Sequence, residues 1–249
     1  MLIMKVKNRL LNYENMFIYQ NSEYFTFSLD SVLLANFVTI NYKDKKIIDF
    51  ATGNAPIAML LNKRCNKHIV GIELQTEVYK LAVESVNVNR MSKQITLIND
   101  NIKNISSYYD LGSIDVIVCN PPYFRCNDSS LKNSNEVKAI ARHEIKISLE
   151  EIIFEASKML KNGGHIALVH VSNRFSEVVD LMKKYNIEPK VVRFVYPKSN
   201  KNSNVFLIEG YKNGKNGMKI LPPLIVYNDS NQYCEEIRLM FGGIENVAE

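Results

Sequence analysis

Short apolar runs alternate with amphipathic stretches along most of this chain, and that alternation restricts the fold more than any other feature. Residues 46–51 (KIIDFA), 68–74, 95–98, 113–119 and 165–171 read as strands rich in Ile, Val and Leu. Between them, residues 55–64, 75–91, 148–160 and 173–185 read as helices. Pro56 suits a first helical turn, and Val78, Leu81, Ala82, Val86 and Val88 recur at helical spacing. Ser148 and Glu151 have the spacing of a capping box, and Asn162-Gly163-Gly164 is expected to end the helix they open. A further helix, residues 29–40, follows an irregular aromatic segment from Phe17 to Phe27. Residues 190–196 and 205–211 close the series as strands. The loop joining them, Pro197 to Asn204, carries no helix, so the final strand is expected to run antiparallel. Strands alternating with helices build βαβ units with right-handed crossovers, which predicts an α/β fold around a doubly wound, mostly parallel sheet.

At 249 residues with 46% hydrophobic content, the chain suits a single compact domain with a sizeable core. Phe124 to Ile147 is the one long irregular piece, and loops of that length are functional or disordered. Cys65, Cys119, Cys126 and Cys234 form no CxxC pair, as expected of reduced thiols in a cytoplasmic protein. The four histidines (His68, His143, His165, His170) lack HExxH or CxxH spacing, so no metal site is expected. The N-terminus breaks its apolar residues with charges, unlike a signal peptide, and no apolar run approaches a membrane span of about 20 residues. No obligate protein partner is evident.

The net charge of +5 is unevenly spread. Between Leu181 and Lys219 stand nine basic residues (Lys183, Lys184, Lys190, Arg193, Lys198, Lys201, Lys212, Lys215 and Lys219) against two acids, Glu188 and Glu209. Such a local excess is either a solvated face or a surface for a polyanion.

Three stretches point to chemistry. Asp49-Phe50-Ala51-Thr52-Gly53-Asn54-Ala55 occupies the first strand–helix turn, where nucleotide-binding loops sit. A dinucleotide fingerprint, GxGxxG, uses its second glycine so that backbone can approach a pyrophosphate; here one glycine, Gly53, remains, with alanine at the flanking small-residue positions. A cofactor without phosphate needs no more than a small turning loop, and S-adenosylmethionine is such a cofactor. Glu73, 24 residues after Asp49, ends the second strand next to Leu74, at the offset of an acid that pairs with ribose hydroxyls. Asp100, followed by Asn101, comes after the third strand; it either accepts from the adenine amino group of the cofactor or caps a helix.

The third stretch is Val116-Ile117-Val118-Cys119-Asn120-Pro121-Pro122-Tyr123. A buried strand stops abruptly at an amide, two prolines and an aromatic ring. The Asn120 carboxamide oxygen and the Pro121 carbonyl can accept both N–H bonds of an exocyclic amine, turning its lone pair out of the ring plane. The prolines fix φ and remove competing donors, and Tyr123 can stack on a base and face a cationic methylsulfonium. Asn120 thereby borders both substrate and cofactor.

These residues resemble a class I S-adenosylmethionine-dependent methyltransferase of the N6-adenine or amide-nitrogen group. More narrowly, the chain is similar to the bacterial tRNA methyltransferases acting on the adenine beside the anticodon (position 37) of a valine tRNA. The likeness runs from Phe25-Thr26-Phe27-Ser28-Leu29-Asp30-Ser31 through DFATGNA, VGIEL and NPPYF. It continues with Ala141-Arg142-His143-Glu144, Val195-Tyr196-Pro197 and Pro222-Pro223-Leu224-Ile225-Val226-Tyr227. The resemblance implies a Rossmann-like, seven-stranded sheet with one antiparallel strand, spanning residues 46–249. Residues 1–45 would close over the cofactor, with Phe25, Thr26, Ser28 or Asp30 in contact. Asp49, Ala51, Gly53, Asn54, Glu73, Leu74, Asp100, Asn101 and Asn120 would hold it, and Asn120 to Tyr123 would do the chemistry. The basic segment would meet tRNA. The family often has glycine where Ala51 and Ala55 stand, and binding is expected to survive the difference. Arg142 and His143 have no derived role.

Two other enzymes fit the same motif. An N5-glutamine methyltransferase of a translation factor would carry a helical recognition domain, yet only about 45 residues precede the first predicted strand here. A guanine N2-methyltransferase commonly has Phe where Tyr123 stands. A non-catalytic RNA-binding module is the remaining alternative, against which Asn120, Tyr123 and Glu73 weigh.

Overall fold

The structure, a computed structural model, describes residues 5–10, 16–21, 28–121 and 147–242. The expected alternation is present. After an N-terminal hairpin of β1 (Lys5–Arg9) and β2 (Phe17–Asn21) come α1 (Leu29–Phe37), β3 (Lys46–Phe50), α2 (Pro56–Arg64), β4 (His68–Glu73), α3 (Thr76–Val88) and β5 (Ile95–Asn99). A 3-10 helix (Ile102–Ser107) leads to β6 (Ile114–Cys119). The rest comprises α4 (Leu149–Met159), β7 (Leu160–Val171), α5 (Phe175–Lys184), β8 (Ile187–Tyr196) and β9 (Val205–Lys212). Two-residue strands β10 (Lys219–Ile220) and β11 (Leu224–Ile225) and a short helix α6 (Glu235–Met240) finish it.

The main sheet runs β5-β4-β3-β6-β7-β9-β8. All neighbours pair parallel except β9, which is antiparallel to both β7 and β8, as the helix-free loop predicted. The seven expected strands are extended at the β8 edge by β10 and β11, both parallel to β8. Side chains alternate between the two faces, as strand geometry requires. Val116 and Val118 of β6 join the core under α1 and α2, whereas Ile117 and Cys119 join the core under α4 and α5. Both faces are covered, which is why the central strands read as unbroken apolar runs.

The chain winds outward from β3 through β4 to β5, then returns to build β6 and β7 on the other side. The order therefore reverses between β3 and β6, paired with Phe50 opposite Cys119. In open α/β sheets the crevice beyond such a reversal receives ligands.

Three expectations are corrected. The aromatic segment is not irregular throughout, because Phe17–Asn21 forms β2 and lies across α3: Tyr19 N donates to Ser85 Oγ (2.9 Å) and Phe17 N to Asn89 Oδ1 (2.9 Å). Asn162-Gly163-Gly164 does not terminate a helix but sits inside β7, which begins directly after Met159. Gly164 has its backbone so close to the carbonyls of Ile114 and Asp115 that a Cβ would meet them at 2.9 and 3.0 Å. Glycine is there for strand approach, near the irregularity in the β6–β7 register. Finally, the basic residues do not form one face. Lys198 and Lys201 lie in the β8–β9 turn, at the edge where β6 and β7 end. Lys183, Lys184, Lys190, Lys212 and Lys215 gather at the opposite edge, where β8 starts and β9 ends. Several are also engaged: Lys184 pairs with Glu150 (2.6 Å), Arg193 with Glu236 (2.5 and 2.8 Å), Lys190 with the Lys215 carbonyl and Lys212 with the Tyr185 carbonyl.

Candidate active site

The turn after β3 is wound through alternating left-handed residues. Ala51 (φ 52°), Gly53 (φ 60°) and Ala55 (φ 68°) all have positive φ. Glycine adopts this region freely, while alanine does so at about 1 kcal/mol or more per residue. The small side chains at Ala51 and Ala55 thus stand where the loop itself asks for glycine. Among the described residues a Cβ built on Gly53 would meet no atom within 4 Å, so the loop presents bare backbone there.

Two buried carboxylates support this turn. Glu73, at the end of β4, accepts from Gly53 N through Oε2 (2.9 Å) and from Gln75 N through Oε1 (2.8 Å). The strand-ending acid therefore clamps the glycine of the first turn to the start of α3. Asp49 is fully buried beneath the loop and accepts from Thr52 Oγ1 through Oδ2 (2.5 Å). Its Oδ1 is buried without a hydrogen-bond partner among the described residues. Burial, with Glu73 adding a smaller repulsion, pushes its carboxyl up to about 7, against the pull of the Thr52 hydroxyl and the Ala58 N–H.

This position gives a pH signature. A carboxyl held above its unfolded value of 3.8 favours the protonated native state, so its stabilisation is full below about pH 4 and lost as pH rises toward 7. Asp49→Asn lacks that dependence. The unfolding free energy of the parent relative to the variant is expected to fall by up to about 4 kcal/mol across this range, measured by urea denaturation at a series of pH values.

Gly71, opposite Asp49 in β4, leaves room for the same arrangement. A Cβ there would meet Leu97 Cδ2 at 2.8 Å and Thr52 Cγ2 and Oγ1 at 2.9 Å. Gly71→Ala is expected to cost about 1–3 kcal/mol by overpacking, lowering the melting temperature by about 2–10 °C in a circular-dichroism melt.

Beyond β6, Asn120 is half-buried and Pro121 buried. The Asn120 amide nitrogen donates to Ser31 Oγ (3.2 Å), on the first turn of α1. Ser31 is 3% exposed. The hydroxyl holds the amide by its nitrogen end. Sequence reasoning missed Ser31, because a serine in an apolar helix reads as a core residue; its spacing one turn after Ser28 was the available signal. Ser28, at the N-cap of α1, buries an Oγ with no hydrogen-bond partner among the described residues. Cys119 is no nucleophile: burial, then the Asp49 carboxylate, raises its thiol well above the ordinary range.

The remaining expected residues divide. Asn54 is buried and donates to the Tyr19 carbonyl of β2 (3.0 Å), tying the loop to the hairpin. Leu74 is exposed past the end of β4, and Asp30 lies in the first turn of α1. Asp100 accepts from Asn101 N (2.6 Å), Asn104 Nδ2 (2.8 Å) and Tyr108 OH (2.9 Å). These bonds, Asn104 foremost, hold its carboxyl below the usual range. Asn101 caps the 3-10 helix by accepting from Lys103 N (3.0 Å). Phe25, Thr26, Pro122, Tyr123, Arg142, His143 and nearly all of the 124–147 segment lie outside the described residues.

At the carboxyl ends of β3 and β4 the Glu73 carboxylate and the Gly53 turn meet above the buried Asp49, and Asp49 Oδ1 and Ser28 Oγ have no hydrogen-bond partner among the described residues. That donor and acceptor set fits a small polar cofactor with hydroxyls and an amino-acid end.

Comparison with known proteins bears on this arrangement. Residues 24–193 match the profile of the methyltransferase small domain. The chain is 28% identical over 181 residues to the tRNA1(Val) (adenine(37)-N6)-methyltransferase of Cytophaga hutchinsonii, covering 67% of this chain and 73% of that one. It is 25% identical over 160 residues to the enzyme of the same name from Bacteroides fragilis, covering 64% and 66%. The chain thus spans about two thirds of the length of these relatives. Among solved structures, a predicted O-methyltransferase from Agrobacterium tumefaciens superposes with a TM-score of 0.69 at 16% identity, covering 85% of this chain and 95% of that one. Geranyl diphosphate C-methyltransferase from Streptomyces coelicolor A3(2), solved with S-adenosyl-L-homocysteine, gives 0.54 at 12% identity, covering 73% and 74%.

Proposed function

Because the chain belongs to the methyltransferase small domain family, we propose that it uses S-adenosylmethionine to methylate the N6 amine of an adenine in tRNA, at position 37 of a valine tRNA. The observation that carries this reading is the placement of Asn120 at the strand-order reversal, with its amide nitrogen held by Ser31. The names of the two tRNA methyltransferase relatives support the substrate.

When bound, S-adenosylmethionine supplies an electrophilic methyl group on a cationic sulfur. Glu73 would pair with ribose hydroxyls while keeping Gly53 in place, and the Gly53 turn would receive the amino-acid end. Ser28 and Asp49 offer the remaining polar contacts, with Asp49 acting from beneath the loop. Residues 1–45 would wall the crevice, since α1 already abuts Asn120.

Adenine's exocyclic nitrogen is a poor nucleophile because its lone pair is delocalised into the ring. Asn120 Oδ1 and the Pro121 carbonyl would accept its two N–H bonds, which turns that lone pair out of plane. Tyr123 would stack on the base. Positioning and charge complementarity carry the step, with no strong general base. A base in structured RNA must leave its stack to arrive here. A cytoplasmic location belongs to this reading. Among the described residues no helix is long and apolar enough to cross a membrane, and no His/Cys/Asp/Glu group would hold a metal.

Transfer of a labelled methyl group to total RNA lacking this modification, followed by nucleoside mass spectrometry, tests the reading. Label is expected in N6-methyladenosine. Label in protein or in N2-methylguanosine would replace it with one of the two alternative enzymes.

A further inference from the structure

A groove of 540 Å³ lies at the outer edge of the sheet, away from the crevice. Phe194, Tyr196, Leu221, Pro223 and Ile225 line it, and Ile220, 65% exposed, stands at its rim. Its walls are β8 and the short strands β10 and β11. Ser199 brings the β8–β9 turn into the lining. That turn also carries Lys198 and Lys201, which have no ion-pair partner among the described residues. Lys219, adjoining Ile220, likewise has none.

Tyr196 and Ser199 put one end of the groove at the carboxyl edge of the sheet, the edge at which β6 delivers Asn120. Tyr196 ends β8, Val195 pairs with Val205, and Val205 pairs with Val171 at the end of β7, beside β6 and Asn120. Three interstrand spacings separate β8 from β6, about 14 Å. That span is a few nucleotides of single-stranded RNA. Aromatic and apolar walls flanked by unpaired lysines are the combination that binds single strands, where bases stack and phosphates meet cations.

We propose that this groove holds unpaired nucleotides flanking the target base, stacked against Tyr196 and its apolar neighbours, with their phosphates at Lys198 and Lys201. The proposal rests on the RNA-methylating reading and names where that substrate is gripped. It differs from a uniform basic face: the lysines at the opposite edge take no part.

Anisotropy of a fluorescein-labelled single-stranded oligoribonucleotide on the full chain, measured across a salt series, tests it. Lys198→Ala/Lys201→Ala is expected to bind about tenfold more weakly, with the salt slope reduced by about 1.4. Tyr196→Ala and the fold-tolerant rim variant Ile220→Glu are each expected to lose about tenfold. Lys183→Ala/Lys215→Ala, at the far edge, is expected to change binding less than twofold. Calorimetric S-adenosylmethionine affinity and melting temperature should stay at parental values in the rim and lysine variants. If the parent binds and methylates RNA while all groove variants bind within twofold of it, the groove assignment falls and the functional reading stands. If the parent binds no RNA even at low salt, both fall. If Ile220→Glu changes the oligomeric state by light scattering and leaves RNA affinity intact, the groove belongs to a second copy of the chain and the proposal is overturned.

Discussion

Replacing Asn120 by alanine is expected to lower turnover by about 10²–10³-fold, the scale seen when one preorganised polar partner of a transition state is removed. S-adenosylmethionine affinity should stay within about threefold. The difference between the two readouts follows from what the side chain touches. Its nitrogen donates to Ser31 Oγ at 3.2 Å, and in the proposed reaction its carbonyl oxygen would act on the incoming amine. An interaction that strengthens only as the amine pyramidalises appears in kcat and not in cofactor binding. Single-turnover rates with saturating RNA, beside calorimetric titration of the cofactor, separate the two. Equal loss in both would make Asn120 a cofactor-binding residue rather than a catalytic one.

Glu73→Gln is expected to act in the opposite sense. Its two carboxylate oxygens accept from Gly53 N and Gln75 N at 2.9 and 2.8 Å. A glutamine keeps one acceptor and sets an NH2 against the other N–H. One backbone donor of the turn is then left unsatisfied, at about 1–3 kcal/mol, and the charge that would strengthen bonds to ribose hydroxyls is gone. S-adenosylmethionine affinity is expected to fall by about 10–100-fold. At saturating cofactor, turnover should recover to within a few fold of the parent, and the Michaelis constant for RNA should not change. Loss of turnover that saturation does not rescue would mean that Glu73 acts on the reaction itself.

The β-strands from β3 to β7 and the helices between them were legible because a sheet covered on both faces leaves an unmistakable record: Ile47, Ile48, Val116, Ile117, Val118 and Cys119 are all buried, whichever face they reach. The places of Glu73 and Asn120 at strand ends were legible for a related reason. A polar residue that ends such a run must stand at the edge of the sheet, and parallel strands put all those ends on one edge. Three features were not legible. β2 pairs within a hairpin and leans on Ser85 and Asn89 of α3, so its stability comes from contacts more than 60 residues away in sequence. Ser31 owes its role to the packing of α1 against the end of β6. The basic residues from Lys183 to Lys219 are neighbours in sequence, but β8 and β9 run in opposite directions and carry them to opposite edges. Charge counted along a chain does not record where a strand turns back. The alanines at positions 51 and 55 show the converse. They were noticed as departures from glycine, and their positive φ gives the physical reason why glycine suits those places.

A crystal structure of the protein with S-adenosylhomocysteine tests the central claim most directly. The prediction is that ribose hydroxyls lie on Glu73, the amino-acid end lies on the Gly53 turn, and the sulfur points at the Asn120 side chain beyond the carboxyl ends of β3 and β6. A sulfur directed away from Asn120, or a cofactor seated anywhere other than the carboxyl ends of β3, β4 and β6, would contradict it.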